Sequence, residues 1–99
     1  MNNYHLTNKA VGDLSDIWEY TLEAWSEDQA DSYYEMLIDS CSSIANEPKS
    51  GKIYTNIAQN LFGYRVGRHI IFYRTTSPSE VEITRILHER MDLKSRIRE

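Results

Sequence analysis

The chain has 99 residues, with 15 Asp and Glu against 11 Lys and Arg, for a formal net charge of −4. That length supports one domain with one modest core, because a chain this short buries only roughly 60–65% of its unfolded surface. The acidic balance argues against an independent nucleic-acid binder, whose phosphate contacts need a dense basic footprint.

No apolar run approaches the ~18 residues that cross a membrane. The opening MNNYHL lacks the basic and apolar regions of a secretory signal, and the lone Cys41 has no internal disulfide partner. Both point to the cytoplasm, with no membrane association. The charge is unevenly spread. Residues 1–63 carry three lysines against ten acids, net −7, whereas residues 64–99 carry eight Lys and Arg against five acids, net +3. Such a split marks a surface for an oppositely charged partner, or ordinary solvated faces.

In chain order, residues 2–6 alternate Tyr4 and Leu6 with polar neighbours, the pattern of a short opening strand. Thr7 is placed to cap a helix over about 8–25. Its apolar stripe reads Val11, Leu14, Trp18, Thr21 and Trp25, widened by Ala10 and Ile17, with Asp13, Asp16, Glu19 and Glu23 mostly off it. Ser26-Glu27-Asp28-Gln29 is a capping box that opens a second helix at once. Ala30, Tyr33, Tyr34, Leu37, Cys41, Ile44 and Ala45 give its stripe, and Asn46 and Pro48 close it. Cys41 on that stripe reads as a small core residue. Helices joined so tightly form an antiparallel hairpin. The stretch 48–60 is irregular, and Ile53, Tyr54, Ile57 and Leu61 fit a short edge strand or a helical turn equally well.

From Leu61 the period becomes two. Residues 61–66, 69–74 and 81–87 read as three antiparallel strands. Gly67-Arg68 forms the first turn, with Gly67 free to supply the positive φ of a type II′ turn; residues 76–79 form the second. The middle strand is apolar on both faces and so is central. Residues 88–92 break the alternation, and 93–99 form a short basic tail, read as helical. The order β-α-α-β-β-β-α over residues 1–99 is α+β: a helical hairpin packed on one face of a small, mainly antiparallel sheet.

No His or Cys spacing fits a metal site, no glycine-rich loop fits a phosphate, and no cofactor motif is present. The chemistry-bearing set is Arg65, Arg68, His69, Arg74, Arg85, His88 and Arg90. Three uses are open: ion pairs with Glu82, Glu89 or Asp92; binding of an acidic partner; or RNA cleavage, with Arg stabilising phosphorane charge and His moving a proton. Trp18 and Trp25, seven apart on one helix face, read as core packing or as anchors for a partner segment.

The segment Gly67-Arg68-His69-Ile70-Ile71-Phe72-Tyr73-Arg74, with Arg85-Ile86-Leu87-His88 and Met91-Asp92 beyond it, resembles the ParE branch of the RelE/ParE toxins. Ala10, Asp13, Leu14, Ile17 and Tyr20, then Gln29-Ala30, Tyr33, Leu37 and the turn 48–51, extend the likeness over nearly the whole chain. The resemblance implies a RelE/ParE-like fold and a toxin encoded beside a ParD-like antitoxin. The antitoxin folds on the toxin, laying a helix along the α-hairpin and often adding a strand to the sheet. Operator DNA is reached only through the antitoxin, with the toxin as co-repressor. The ParE branch implies a non-enzymatic inhibitor of DNA gyrase, which is trapped on cleaved DNA. The RelE branch would instead imply a ribosome-dependent mRNA endonuclease. The acidic balance and the absence of Tyr or His in the tail SRIRE favour the former. A third reading is a non-toxic family member kept as an antitoxin-binding module. On the leading reading the target-binding residues are Arg65, Arg68, His88, Arg90, Arg96 and Arg98. The antitoxin-binding residues are Trp18, Leu22, Trp25, Tyr33, Tyr34 and Leu37.

Overall fold

The structure, a computed structural model, describes residues 2–98. The expected order is observed with one addition. Strand β1 is Asn3–Leu6, α1 is Asn8–Ala24, α2 is Glu27–Asn46, β2 is the two-residue Lys52–Ile53, β3 is Phe62–Val66, β4 is His69–Ser77, β5 is Glu80–His88 and α3 is Leu93–Arg98. The five strands form one sheet in the order β1-β5-β4-β3-β2. All neighbours are antiparallel except β1 and β5, which run parallel from Asn3↔Glu80 to Leu6↔Ile83. The first strand thus lies beside the last, and the helical hairpin is the crossover that a parallel pair needs.

Both helix starts are built as the sequence implies. Thr7 Oγ1 accepts from the Ala10 amide at 3.1 Å and donates to the Thr84 carbonyl at 2.8 Å, tying the cap to β5. Ser26 Oγ accepts from the Gln29 amide at 3.1 Å. At the β3–β4 turn Gly67 has φ +58°, while Arg68 stays at negative φ, as a type II′ turn requires. The undecided stretch contains both alternatives in miniature: β2 pairs with β3, and a turn follows in which the Ile57 and Ala58 amides both donate to the Tyr54 carbonyl.

One core lies between the hairpin and the sheet. It comprises Ala10 and Leu14 of α1, Leu37, Cys41 and Ile44 of α2, and Val66, Ile71, Tyr73, Val81, Ile83 and Ile86 of the strands. Burial pushes the Cys41 thiol up to about 12, so it packs as a small apolar group. The buried line of α1 is Ala10 and Leu14, continued by half-buried Ile17, Trp18 and Thr21, all within the expected stripe. The edge of that stripe formed by Val11 and Trp25 faces away from the core, at 49% and 77% exposure. The small Ala10 lets α1 approach the sheet closely, which a large side chain in its place would prevent.

The opposite sheet face carries a second, smaller core, whose cover periodicity did not reveal. Leu61, Ile70, Phe72 and Leu87 are covered by Tyr54, Ile57 and Ala58 from the 54–61 turn and by Leu93 and Ile97 of α3. The turn is pinned through Tyr73, whose hydroxyl donates to the Pro48 carbonyl at 2.6 Å and accepts from the Gly51 amide at 3.0 Å. A Cβ on Gly51 would fall 2.4 Å from that hydroxyl oxygen, so glycine is required there. A β-bulge between Phe72 and Tyr73 leaves Thr84 unmatched. It keeps Ile83 and Ile86 on the hairpin face and turns Arg85, opposite Phe72, toward α3.

Candidate functional site

Two regions stand out at the end of the sheet where the β3–β4 turn and the end of β5 meet. The first is a groove of about 710 Å³ between the second half of α1, the start of α2 and this sheet end. Ile17, Tyr20 and Trp25 form one wall, and Arg68, His69, His88 and Met91 the other, with Tyr33 between them. Trp25 and Tyr20 stand 77% and 63% exposed.

The groove's polar groups are held by one another. The Tyr33 hydroxyl lies 2.7 Å from His69 Nδ1 and 3.2 Å from the Val66 carbonyl, and accepts from the Arg68 amide at 3.3 Å. Burial raises its pKa. His69 faces His88 directly across the β4–β5 ladder, with the rings edge to face at 5.3 Å between centroids. Burial, with the second imidazole beside it, lowers His69 to about 4, so this ring is neutral at ordinary pH. His88 Nδ1 accepts from the Arg90 amide at 3.1 Å. The neutral ring therefore carries its proton on Nε2.

The second region is the basic end. The Glu89 amide donates to the Arg68 carbonyl at 2.9 Å, and the Glu89 carboxylate pairs with Arg65. Asp92 caps α3, accepting from the Ser95 hydroxyl at 2.9 Å and the Ser95 amide at 3.3 Å. Those bonds hold its carboxyl below the usual carboxylate range. Arg90, Lys94, Arg96 and Arg98 are exposed beside them.

Arg85 belongs to neither surface. Its Nε and Nη2 grip Asp13 in a fork at 2.8 and 2.9 Å, and its Nη1 donates to the Arg96 carbonyl at 2.7 Å. Asp13 Oδ2 also accepts the Ile86 amide at 2.9 Å, on the edge of β5 beyond the end of β1. The two side chains are 11% and 13% exposed. This clamp joins α1, β5 and α3. The expected ion pairing with Glu89 is observed at Arg65, whereas Arg85 takes Asp13, a partner the sequence did not suggest. Arg85 and His88, three apart in an unbroken stretch of β5, lie on opposite faces of the sheet.

Arg65, Arg68, Arg90, Arg96 and Arg98 are all exposed, and half-buried His88 joins them at the groove rim. The residues read as an antitoxin contact do not share one surface. Trp25 and Tyr33 line the groove. Trp18 is half-buried and donates from Nε1 to Asp31 Oδ1 at 3.0 Å, bracing the two helices. Leu22 and Tyr34 are exposed, at 36% and 42%. Leu37 is fully buried in the core and offers nothing to a partner. Asp13, Tyr20, Arg85 and Met91 are among the groove and clamp residues absent from the sequence-based site lists, though all four lie within the motifs that carried the resemblance. Among the described residues no cluster of three or more His, Cys, Asp or Glu is placed to hold a metal, and no helix is long and apolar enough to cross a membrane.

Residues 4–93 match the family model described as the ParE toxin of the type II toxin–antitoxin system parDE. This chain is a member of the ParE toxin family. The match runs from β1, through the groove and the Arg85 clamp, to the first residue of α3. Toxin ParE1 of Caulobacter vibrioides is 33% identical over 97 residues, covering 98% of this chain and 99% of that protein. Toxin ParE1 of Mycobacterium tuberculosis strain H37Rv is 32% identical over 92 residues, covering 93% and 94%. The fold recurs in a chromosomal ParDE system from P. aeruginosa, with a TM-score of 0.74 at 16% identity over 89% of this chain and 95% of that one. It recurs again in the RelBE2 toxin–antitoxin complex of Mycobacterium tuberculosis, with a TM-score of 0.64 at 21% identity over 88% and 96%. The protein is thus a ParE-family toxin with the RelE/ParE-like α+β fold.

Proposed function

We propose that this toxin inhibits DNA gyrase without making or breaking bonds itself, and that a ParD-like antitoxin neutralises it in the cytoplasm. The antitoxin seats an amphipathic segment in the groove, with apolar side chains against Ile17, Tyr20, Trp25 and Met91 and polar ones facing Arg68 and His88. Operator DNA is reached through the antitoxin, with the toxin as co-repressor. The observation that carries the antitoxin site is the groove itself: an exposed, aromatic-walled concavity in a small chain, of the kind that takes a partner's anchor residues. The solved relatives of the same fold are described as a ParDE system and a toxin–antitoxin complex, which supports the same partner. The basic end is the target-binding surface, through Arg65, Arg68, Arg90, Arg96 and Arg98 with His88 at its margin. Supercoiling by purified gyrase tests the target. Inhibition with accumulation of cleaved DNA is expected; uninhibited supercoiling with no cleaved-DNA complex contradicts the reading.

Cleavage of mRNA is the second reading, and the facing imidazoles of His69 and His88 beside Arg68 are what favour it. New codon-linked ends on translated mRNA after induction, lost in His88→Gln, would establish it in place of gyrase inhibition.

A further inference from the structure

The basic end differs from the groove in what it lacks. Large exposed aromatics among the described residues are Tyr20, Trp25 and Tyr34, and all three stand on the helical hairpin. At the basic end the exposed large apolar residue is Met91 alone, shared with the groove rim. A protein interface of useful affinity is centred on buried aromatic or aliphatic anchors. A phosphodiester backbone asks for something else: spaced, exposed cations with no need of an apolar centre.

Among the described residues, the two acids of this end are already committed. Glu89 pairs with Arg65, and Asp92 is spent on capping α3 through Ser95. Leu93 and Ile97 turn inward against the Leu87–Ile70 face, so Lys94 and Arg98 point outward. The Glu89 amide to Arg68 carbonyl bond draws the β3–β4 turn alongside, adding Arg68 to Arg90. Arg68, Arg90, Lys94 and Arg98 thus form one exposed cationic belt, on a chain whose ten acids among residues 1–63 lie elsewhere.

We propose that this belt binds the phosphodiester backbone of duplex DNA through Arg68, Arg90, Lys94 and Arg98. Duplex is favoured over single strands because the belt has no exposed aromatic platform on which unpaired bases could stack. The inference rests on the basic end being the target-binding surface, and not on which protein is the target. The toxin would touch the DNA held by its target, so the contact is weak alone and strengthened by the target's own grip. The overall net charge of −4 then limits free binding to low salt without preventing it.

Fluorescence anisotropy of a labelled 20-base-pair duplex of arbitrary sequence tests this with the intact toxin. Four phosphate contacts give a slope of log K against log salt of about −3.6, or about 150-fold weaker binding at 200 mM than at 50 mM. Arg90→Glu/Lys94→Glu is expected to abolish binding. Lys49→Glu/Lys52→Glu, the same change in net charge at the far end of the sheet, is expected to weaken it only a few-fold. Circular dichroism confirms that both variants are folded. No binding at 25 mM salt overturns the proposal, as does equal loss in the two variants, or tighter binding to single-stranded RNA of the same length. Gyrase inhibition that persists without DNA binding overturns this inference alone; DNA binding without gyrase inhibition overturns only the identity of the target.

Discussion

The groove and the basic end sit side by side on one sheet end, yet they are built on opposite principles. At the back of the groove the polar groups answer one another: Tyr33 holds His69, His69 faces His88, and His88 Nδ1 accepts from the Arg90 amide. At the basic end the described acids Glu89 and Asp92 are engaged internally, and Lys94 and Arg98 of a six-residue helix, held by Leu93 and Ile97, stand exposed. The first is a preorganised receptor, whose walls pay little ordering entropy when a partner arrives. The second is an electrostatic surface, whose strength depends on salt and on what it meets. A toxin needs both functions to be separable, since a neutralising partner must bind whether or not the target is present.

Substitutions can break this contrast in graded steps. The largest loss is expected where neither surface is touched directly. Asp13→Ala leaves Arg85 charged at 11% exposure and orphans the Ile86 amide. Urea unfolding should register about 3–5 kcal/mol lost, with part recovered in Asp13→Ala/Arg85→Met. An effect below about 1 kcal/mol would mean the clamp does not join α1 to β5. Leu37→Ala should cost about 2–5 kcal/mol through its cavity, with the antitoxin-binding surface intact in whatever fraction remains folded.

Trp25→Ala sharpens the contrast from the other side. At 77% exposure its stability effect should lie within about 0.5 kcal/mol, yet antitoxin affinity should fall by about 2 kcal/mol, near 30-fold. Unchanged affinity by calorimetry would remove the groove from the interface.

The smallest effect is on pH dependence. Burial holds the folded His69 at about 4, below the ordinary imidazole value of 6.5, so the unfolded chain binds the proton first as pH falls. The stability this neutral ring contributes is complete above about pH 6.5 and is lost progressively down to about pH 4. Melting curves across that window should show a shallower acid decline for His69→Gln than for the parent protein. Parallel declines would show that His69 does not carry the dependence. Tyr33→Phe removes the hydroxyl beside His69 Nδ1 and should cost about 1 kcal/mol.

Most of the fold was legible because it is written locally. Thr7 and Ser26 announce their helices, the switch from a period near 3.6 to one of two marks the start of the sheet, and Gly67 marks its turn. The likeness at residues 67–74 and 85–88 supplied the family fold, whereas the parallel placement of β1 beside β5 appears only in the structure. What stayed hidden depends on geometry with no local trace. The stripe read on α1 is wide, so spacing alone does not fix the helix rotation that exposes Trp25 and buries Ala10. The Asp13–Arg85 clamp spans 72 positions. The bulge at Thr84 shows in the sequence only as a three-residue step from Ile83 to Ile86, which does not by itself assign a face to Arg85. The second core was signalled by Ile70 and Phe72, which make the middle strand apolar on both faces, but what covers them was not: Leu93 and Ile97 are four apart in a basic tail too short for the pattern to stand out. The sites followed the same rule. The basic end was visible as composition, whereas the groove exists only after the hairpin meets the sheet.

The separability of the two surfaces is tested most directly by one toxin variant assayed twice. Arg90→Glu/Lys94→Glu is titrated into gyrase supercoiling reactions and, in parallel, into its cognate antitoxin by calorimetry. The expected result is loss of supercoiling inhibition with antitoxin affinity within about threefold of the parent toxin, a difference under about 0.7 kcal/mol. Loss of antitoxin binding together with inhibition, or retention of inhibition, would contradict the division of labour between the groove and the basic end.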